Sequence, residues 1–223
     1  MSEESSRREA TTGNTYIDPG ADTPEGYAIS RSSRELARRV VGDRTPEDRI
    51  RQRCAIAVGD FVMADLVIVH PGAIGAGIAA LERGAPIIAD IRMVQMGVRK
   101  REHESEVLCA LDFGEKIARD RGITRSSAGF EALRERMEGA IVVVGNAPSA
   151  LLALCRMIDE GVRPALVVGM AVGFVKAAES KELLRSHAVP SISTRGTRGG
   201  TPPAVAAANE IITMYVERRE APG

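Results

Sequence analysis

The sequence predicts a doubly wound α/β domain: five parallel strands with helices on both faces. Three observations predict it. Short runs that are apolar at every position recur along the chain, as strands buried on both faces require. Segments of helical periodicity separate each run from the next. Gly-rich turns follow three of the runs, where the strands of such a sheet hand over to helices.

The elements follow in chain order. Residues 1–22 are rich in Ser, Thr, Gly and charge, lack apolar periodicity, and read as a disordered or loosely docked tail. Residues 23–223 then form one domain. Thr23-Pro24-Glu25 and Thr45-Pro46-Glu47 each place a capping hydroxyl before a Pro at the first helical position, with an acid in the first turn. The first helix reaches about Val41, with Ile29, Leu36 and Val40 on its apolar side, and the second reaches about Val58. From residue 71 onward strands and helices alternate. Strands are predicted at 87–89, 107–111, 140–144, 165–168 and, more weakly, 189–192. Helical patterns cover 72–83, 113–121, 125–137, 148–160, 174–185 and 203–218.

Composition removes several function classes. Lys plus Arg is 30 and Asp plus Glu is 30, so the net charge is zero. A nucleic-acid groove or a membrane-surface face needs a basic excess, so neither partner is expected. The basic residues are 26 Arg and only 4 Lys, and the planar guanidinium fork grips carboxylates with two hydrogen bonds at a time. Aromatic residues make up 3% and Trp is absent, which leaves few platforms for stacking bases or flavins. Cys54, Cys109 and Cys155 lie far apart without a CxxC pair, and His70, His103 and His187 are isolated. Neither a disulfide scaffold nor a metal site is expected. A polar N-terminus and the lack of an apolar run of ~18 residues predict a cytoplasmic location. No P-loop, GxGxxG or GxSxG phrase is present.

Ligands of a doubly wound sheet bind at the carboxyl ends of its strands. Three of the predicted strands end in Gly145-Asn146-Ala147-Pro148-Ser149, Gly169-Met170-Ala171-Val172-Gly173 and Arg195-Gly196-Thr197-Arg198-Gly199-Gly200. Glycines there let backbone amides approach a ligand, and the arginines favour an acidic one.

These phrases, together with 84–90, Met93-Val94, Thr124-Arg125-Ser126 and the stretch 169–181, resemble in order the precorrin-8X methylmutase family. The resemblance runs from about residue 24 to 212. It implies a flavodoxin-like fold and an intramolecular methyl shift from C-11 to C-12 of precorrin-8 or its cobalt form. It also implies a polycarboxylated tetrapyrrole substrate, no cofactor, and a homodimer with sites near the subunit interface. Arg125 falls on the family's active-site Arg, and Ser32 on a Ser near the substrate. Thr124, Asn146, Ser149, Arg195 and Arg198 match loops that surround the macrocycle. Lys176, where a small residue is common in the family, adds a cation for a substrate carboxylate. Glu179-Ser180-Lys181 match a family phrase without an assigned contact.

One departure bears on catalysis. The family carries a His in a His-x-x-Gly phrase at the end of the second helix, and here that position is Ile56, before Gly59. Asp60 lies one helical turn on from Ile56 if the helix persists that far, and is the candidate replacement acid, with His70 a second. The expected function is therefore an active methylmutase; the alternative is a corrinoid-binding carrier or regulator without turnover.

Overall fold

Both Thr-Pro-Glu signals start helices where the sequence predicts them. In the computed structural model, which describes residues 23–221, Thr23 accepts a hydrogen bond from the Gly26 amide at 3.1 Å and opens α1 (Pro24–Val41). Asp48 reaches back to the Thr45 amide at 3.1 Å and opens α2 (Pro46–Val58). The tail expected at 1–22 lies outside the described residues.

The chain continues through α3 (Val62–Leu66), β1 (Val67–Val69), α4 (Ala73–Glu82), β2 (Ile87–Ala89), α5 (Arg92–Gly97) and β3 (Val107–Cys109). After these come α6 (Glu115–Arg121), α7 (Arg125–Ala132), β4 (Ile141–Val144), α8 (Pro148–Asp159), β5 (Leu166–Gly169), α9 (Ala177–Ser186), β6 (Ser191–Thr194) and α10 (Thr201–Glu220). The helical pattern at 125–137 divides into α7 and a 3-10 turn at Arg134–Met137.

The sheet has six strands in the order β1-β6-β5-β4-β2-β3, and β1 runs antiparallel to β6. This corrects the expectation of five strands, all parallel. Val67-Ile68-Val69 follows α3 with no Gly or Pro between them, so the sequence lacks the punctuation that separates a strand from a helix. The short helices α3 and α5, of five and six residues, are likewise below the length at which periodicity speaks.

The remaining strands pair in parallel and are buried on both faces. Side chains alternate between the faces as the pleat requires. Ile87, Ala89, Ile141, Val143, Leu166 and Val168 pack under α2, α4, α5 and α10. Ile88, Val142, Val144 and Val167 pack under α7, α8 and α9. Arg49 on α2 joins the first helical layer to α10, donating to Glu210 at 2.8 Å and to Glu217 at 2.7 Å.

The topology locates a crevice. From β2 the chain steps outward to β3, then crosses back past β2 to β4, and continues to β5 and β6. The path therefore reverses between β2 and β4, and in open parallel sheets ligands sit outside the carboxyl ends of the strands at such a point.

Candidate active site

Asp90, the residue after β2, occupies that crevice. It is fully buried and accepts hydrogen bonds from the amides of Gly145 (3.1 Å), Asn146 (2.9 Å) and Ala147 (3.1 Å), the turn that leads into α8. Burial pushes its carboxyl above the ordinary range, while these amides and that of Ile91 pull it back. In a nucleotide-binding sheet a phosphate takes such a nest of amides at a helix N-terminus. Here the protein's own carboxylate fills it.

The glycines beside it are needed for packing. A Cβ at Gly145 would stand 2.6 Å from Val94 Cγ2 and 3.0 Å from Thr201 Cα. A Cβ at Gly199 would collide with the Met170 carbonyl oxygen. The amides of the other loops are also engaged: Gly200 donates to Met170 O at 2.7 Å and Gly173 to Thr197 O at 3.2 Å. At these positions the strand-end amides bind the loops to one another. A ligand on this edge meets the side chains above them.

Two groups of side chains stand there. Beside β3 and β4, Thr124 caps α7 by accepting from the Ser127 amide at 3.3 Å. Its Oγ1 lies 2.8 Å from Ser127 Oγ and 3.0 Å from Ser149 Oγ on α8. Arg125, the first residue of α7, is exposed and donates through Nη2 to the Leu111 carbonyl at 3.1 Å. Thr124 and Ser149 are thus in contact, and Arg125 is the next residue along the chain from Thr124.

The second group follows β6. Arg198 is exposed and donates to Asp60 at 2.9 Å. Asp60 does not share a helix face with Ile56, because Gly59 turns left-handed at φ 66° and ends α2. The Asp60 amide folds back to the Ala55 carbonyl at 3.1 Å in a Schellman-type cap, and its carboxylate leaves toward Arg198. Lys181, on α9, is fully buried beneath this loop. Its Nζ donates to Thr194 Oγ1 at 3.0 Å and to the Arg198 carbonyl at 2.6 Å.

The other expected residues lie at the margins. Arg195 lines a cavity of about 600 Å³ beside β1, shared with Asp48, Arg51, Phe61 and Asp65. Lys176 is exposed at the head of α9 and takes a left-handed φ of 63°, a conformation Gly adopts at less cost. Asn146 is exposed on the rim, and Ser32 is exposed on α1. Because β1 is antiparallel, His70 falls at the opposite edge of the sheet: its amide donates to the carbonyl of Ser191, where β6 begins. His70 therefore does not supply a proton at the carboxyl edge of its own sheet. Among the described residues no cluster of His, Cys, Asp and Glu could hold a metal ion.

Sequence reasoning passed over three features. Asp90 was within a matching phrase without a role, although an acid that ends an apolar strand beside a Gly turn is a signal for such a nest. Lys181 was likewise matched without a contact. The loop after β5 raises an apolar lip, with Phe174 96% and Val175 77% exposed.

The profile of the precorrin-8X methylmutase family matches residues 28–214. The chain belongs to that family. It is 38% identical to the cobalt-precorrin-8 methylmutase of Methanocaldococcus jannaschii, over 91% of this chain and 100% of that protein. It is 41% identical to the precorrin-8X methylmutase of Pseudomonas aeruginosa, over 85% of this chain and 96% of that protein. Among solved structures, precorrin-8X methylmutase from Thermus thermophilus superposes with a TM-score of 0.79 at 36% identity, covering 88% of this chain and 100% of that one. This membership places the chain among isomerases of cobalamin biosynthesis, which accords with an edge that offers cations and apolar surface.

Proposed function

We propose that this methylmutase-family chain moves the methyl group of precorrin-8, or its cobalt form, from C-11 to C-12, giving hydrogenobyrinate or cobyrinate. The observation that carries this is the match across residues 28–214. The geometry supports it. Arg125 and Arg198 stand beside β3 and β6, which are four strand positions apart, about 19 Å at ~4.8 Å per position. A broad ring with carboxylate arms on its rim spans such a distance, while Phe174 and Val175 offer apolar contact to its centre. The order of the parallel strands supports a flavodoxin-like sheet with one antiparallel strand added.

In this site Arg125, Arg198, Arg195 and Lys176 take substrate carboxylates, and Thr124, Ser149 and Asn146 take polar arms. The shift is intramolecular, so holding the ring in a reactive shape is the protein's main task. A substrate carboxylate that captures Arg198 releases Asp60, which is then the group available for proton transfer. Ile56 has no proton to give. A second copy of the chain covers the exposed Tyr27, Ile29, Leu36 and Val40 on α1, the helix that bears Ser32, and sedimentation velocity reads that association.

The test is incubation of the purified protein with precorrin-8 and, separately, its cobalt form, followed by visible spectra and methyl NMR. Conversion is expected. Tight binding without turnover would replace the enzyme with a carrier or regulator, and no binding of substrate or product would end both. An Ile56→His variant that gains on the order of 10²-fold in turnover would show that proton transfer limits the native protein.

A further inference from the structure

Lys181 has no part in the site as described, yet its surroundings are unusual. It is a fully buried lysine whose two hydrogen-bond partners, Thr194 Oγ1 and the Arg198 carbonyl, are both neutral oxygens. Thr194 Oγ1 donates to the same carbonyl at 2.6 Å, so one oxygen is held by two donors. One turn along the same face of α9, Arg185 donates to Ser193 Oγ at 2.8 Å and to the Thr194 carbonyl at 3.2 Å. Two cations of α9 thus grip the end of β6 and the loop that leaves it.

A buried cation without an anionic partner is costly, and an apolar side chain would fill the same space without that cost. What the ammonium adds is a directed hold on one backbone carbonyl. That carbonyl belongs to Arg198, whose guanidinium is held from the other side by Asp60 at 2.9 Å. The loop between them is irregular and residues 195–198 are exposed; backbone bonds of Arg195 to Leu66 and of Gly173 to Thr197 hold its neighbours, while the Arg198 carbonyl itself is taken by Lys181 and Thr194.

We infer that Lys181 is the positioning residue for Arg198: it fixes the carbonyl of the residue whose guanidinium meets a substrate carboxylate. The inference rests on the proposed role of this edge in binding the tetrapyrrole. Lys181 itself touches no substrate.

A double-mutant cycle tests it, with hydrogenobyrinate affinity read by spectral titration and KM and kcat read in the turnover assay. Arg198→Ala is expected to weaken product binding about tenfold, the worth of one charge-assisted contact. Lys181→Met should weaken it about fivefold, raising KM by the same factor while kcat stays within about twofold. In the Arg198→Ala background the Lys181→Met change should weaken binding by less than about twofold, because the side chain it positions is gone. Lys181→Gln, which keeps an amide donor, should recover part of the loss and serves if the Met variant does not fold. Wild-type affinity in both Lys181 variants, or a loss that adds in full to that of Arg198→Ala, would overturn the inference alone. A wild-type protein that binds neither substrate nor product would overturn the proposed site, and the inference with it.

Discussion

Asp90 and Lys181 are two buried charges on the same edge of one sheet, and each holds a loop. Asp90 sits at the reversal of the strand order and collects three amides of the turn into α8. Lys181 sits under the loop after β6 and donates to one hydroxyl and one carbonyl. Burial acts on both in the sense that disfavours charge, pushing Asp90 up and Lys181 down. They differ in what they restrain. The Asp90 turn opens a helix in the sheet's centre, so its carboxylate completes the fold. The Lys181 loop carries an exposed arginine, so its ammonium sets a side chain that faces solvent.

The comparison is broken most severely at Asp90. Asp90→Ala leaves the amides of Gly145, Asn146 and Ala147 without their acceptor, and Gly145 is buried. A stability loss of about 2–4 kcal/mol is expected in urea unfolding, with turnover falling in parallel because the whole edge loosens. Asp90→Asn keeps one acceptor oxygen and should lose about half as much. An Asp90→Ala protein of wild-type stability would show that water satisfies the turn and that the nest is open to an outside anion.

How legible this edge was in the sequence depended on the kind of signal. Helices α1 and α2 were legible because a Thr-Pro-Glu start is a local device, and β4 and β5 because strands buried on both faces are apolar throughout. The loops that carry Asn146 and Arg198 were legible because Gly turns mark strand ends, whereas Arg125, at the head of α7, was legible only through the family phrase around it. What the sequence did not disclose was long-range. The amides of 145–147 read as donors for a ligand until Asp90, 55 residues earlier, is seen to take them. Asp60 read as a neighbour of Ile56 on a helix that Gly59 in fact ends. Arg195 and Arg198 read as a pair, yet one lines the cavity by β1 and the other meets Asp60, because an irregular loop has no period from which to infer direction.

A smaller effect distinguishes the buried cation from the buried anion by pH. Burial, and then the positive charge of Arg185, lower Lys181 to about 8 from its ordinary 10.5, against the opposing pull of Glu182. Between those values the folded protein has released a proton that the unfolded chain still binds, so stability rises with pH across that window. Below it both states hold the proton, and the penalty of burying the charge is present in full. Lys181→Met removes this titration. Between pH 7 and pH 9.5 the stability of wild type relative to that variant should therefore increase, by about 2 kcal/mol at ~1.4 kcal/mol per unit. A difference that does not change over this range would mean that the ammonium is as comfortable beneath the loop as in water.

The smallest expected effect concerns the loop that neither buried charge reaches. Thr124 uses one oxygen for two tasks, capping α7 through the Ser127 amide and meeting Ser149 Oγ at 3.0 Å. Thr124→Val keeps the shape and removes both, whereas Ser149→Ala removes only the second. If the cap is what places Arg125, the Val variant should lose about 1 kcal/mol of stability and the Ala variant a few tenths. The KM of the turnover assay separates the contributions further. Arg125 is the first residue of α7, so fraying that end displaces its guanidinium from the Leu111 carbonyl, and KM should rise about fivefold in Thr124→Val, which loses this placement as well as a polar contact, against about twofold in Ser149→Ala, which loses a polar contact alone. Equal KM values in the two variants would mean that the hydroxyl pair acts through its contact with substrate alone. Arg125 would then be held by its own bond to Leu111, and the two ends of the site would differ in kind: one positioned by its helix cap or its own side chain, the other by a buried lysine.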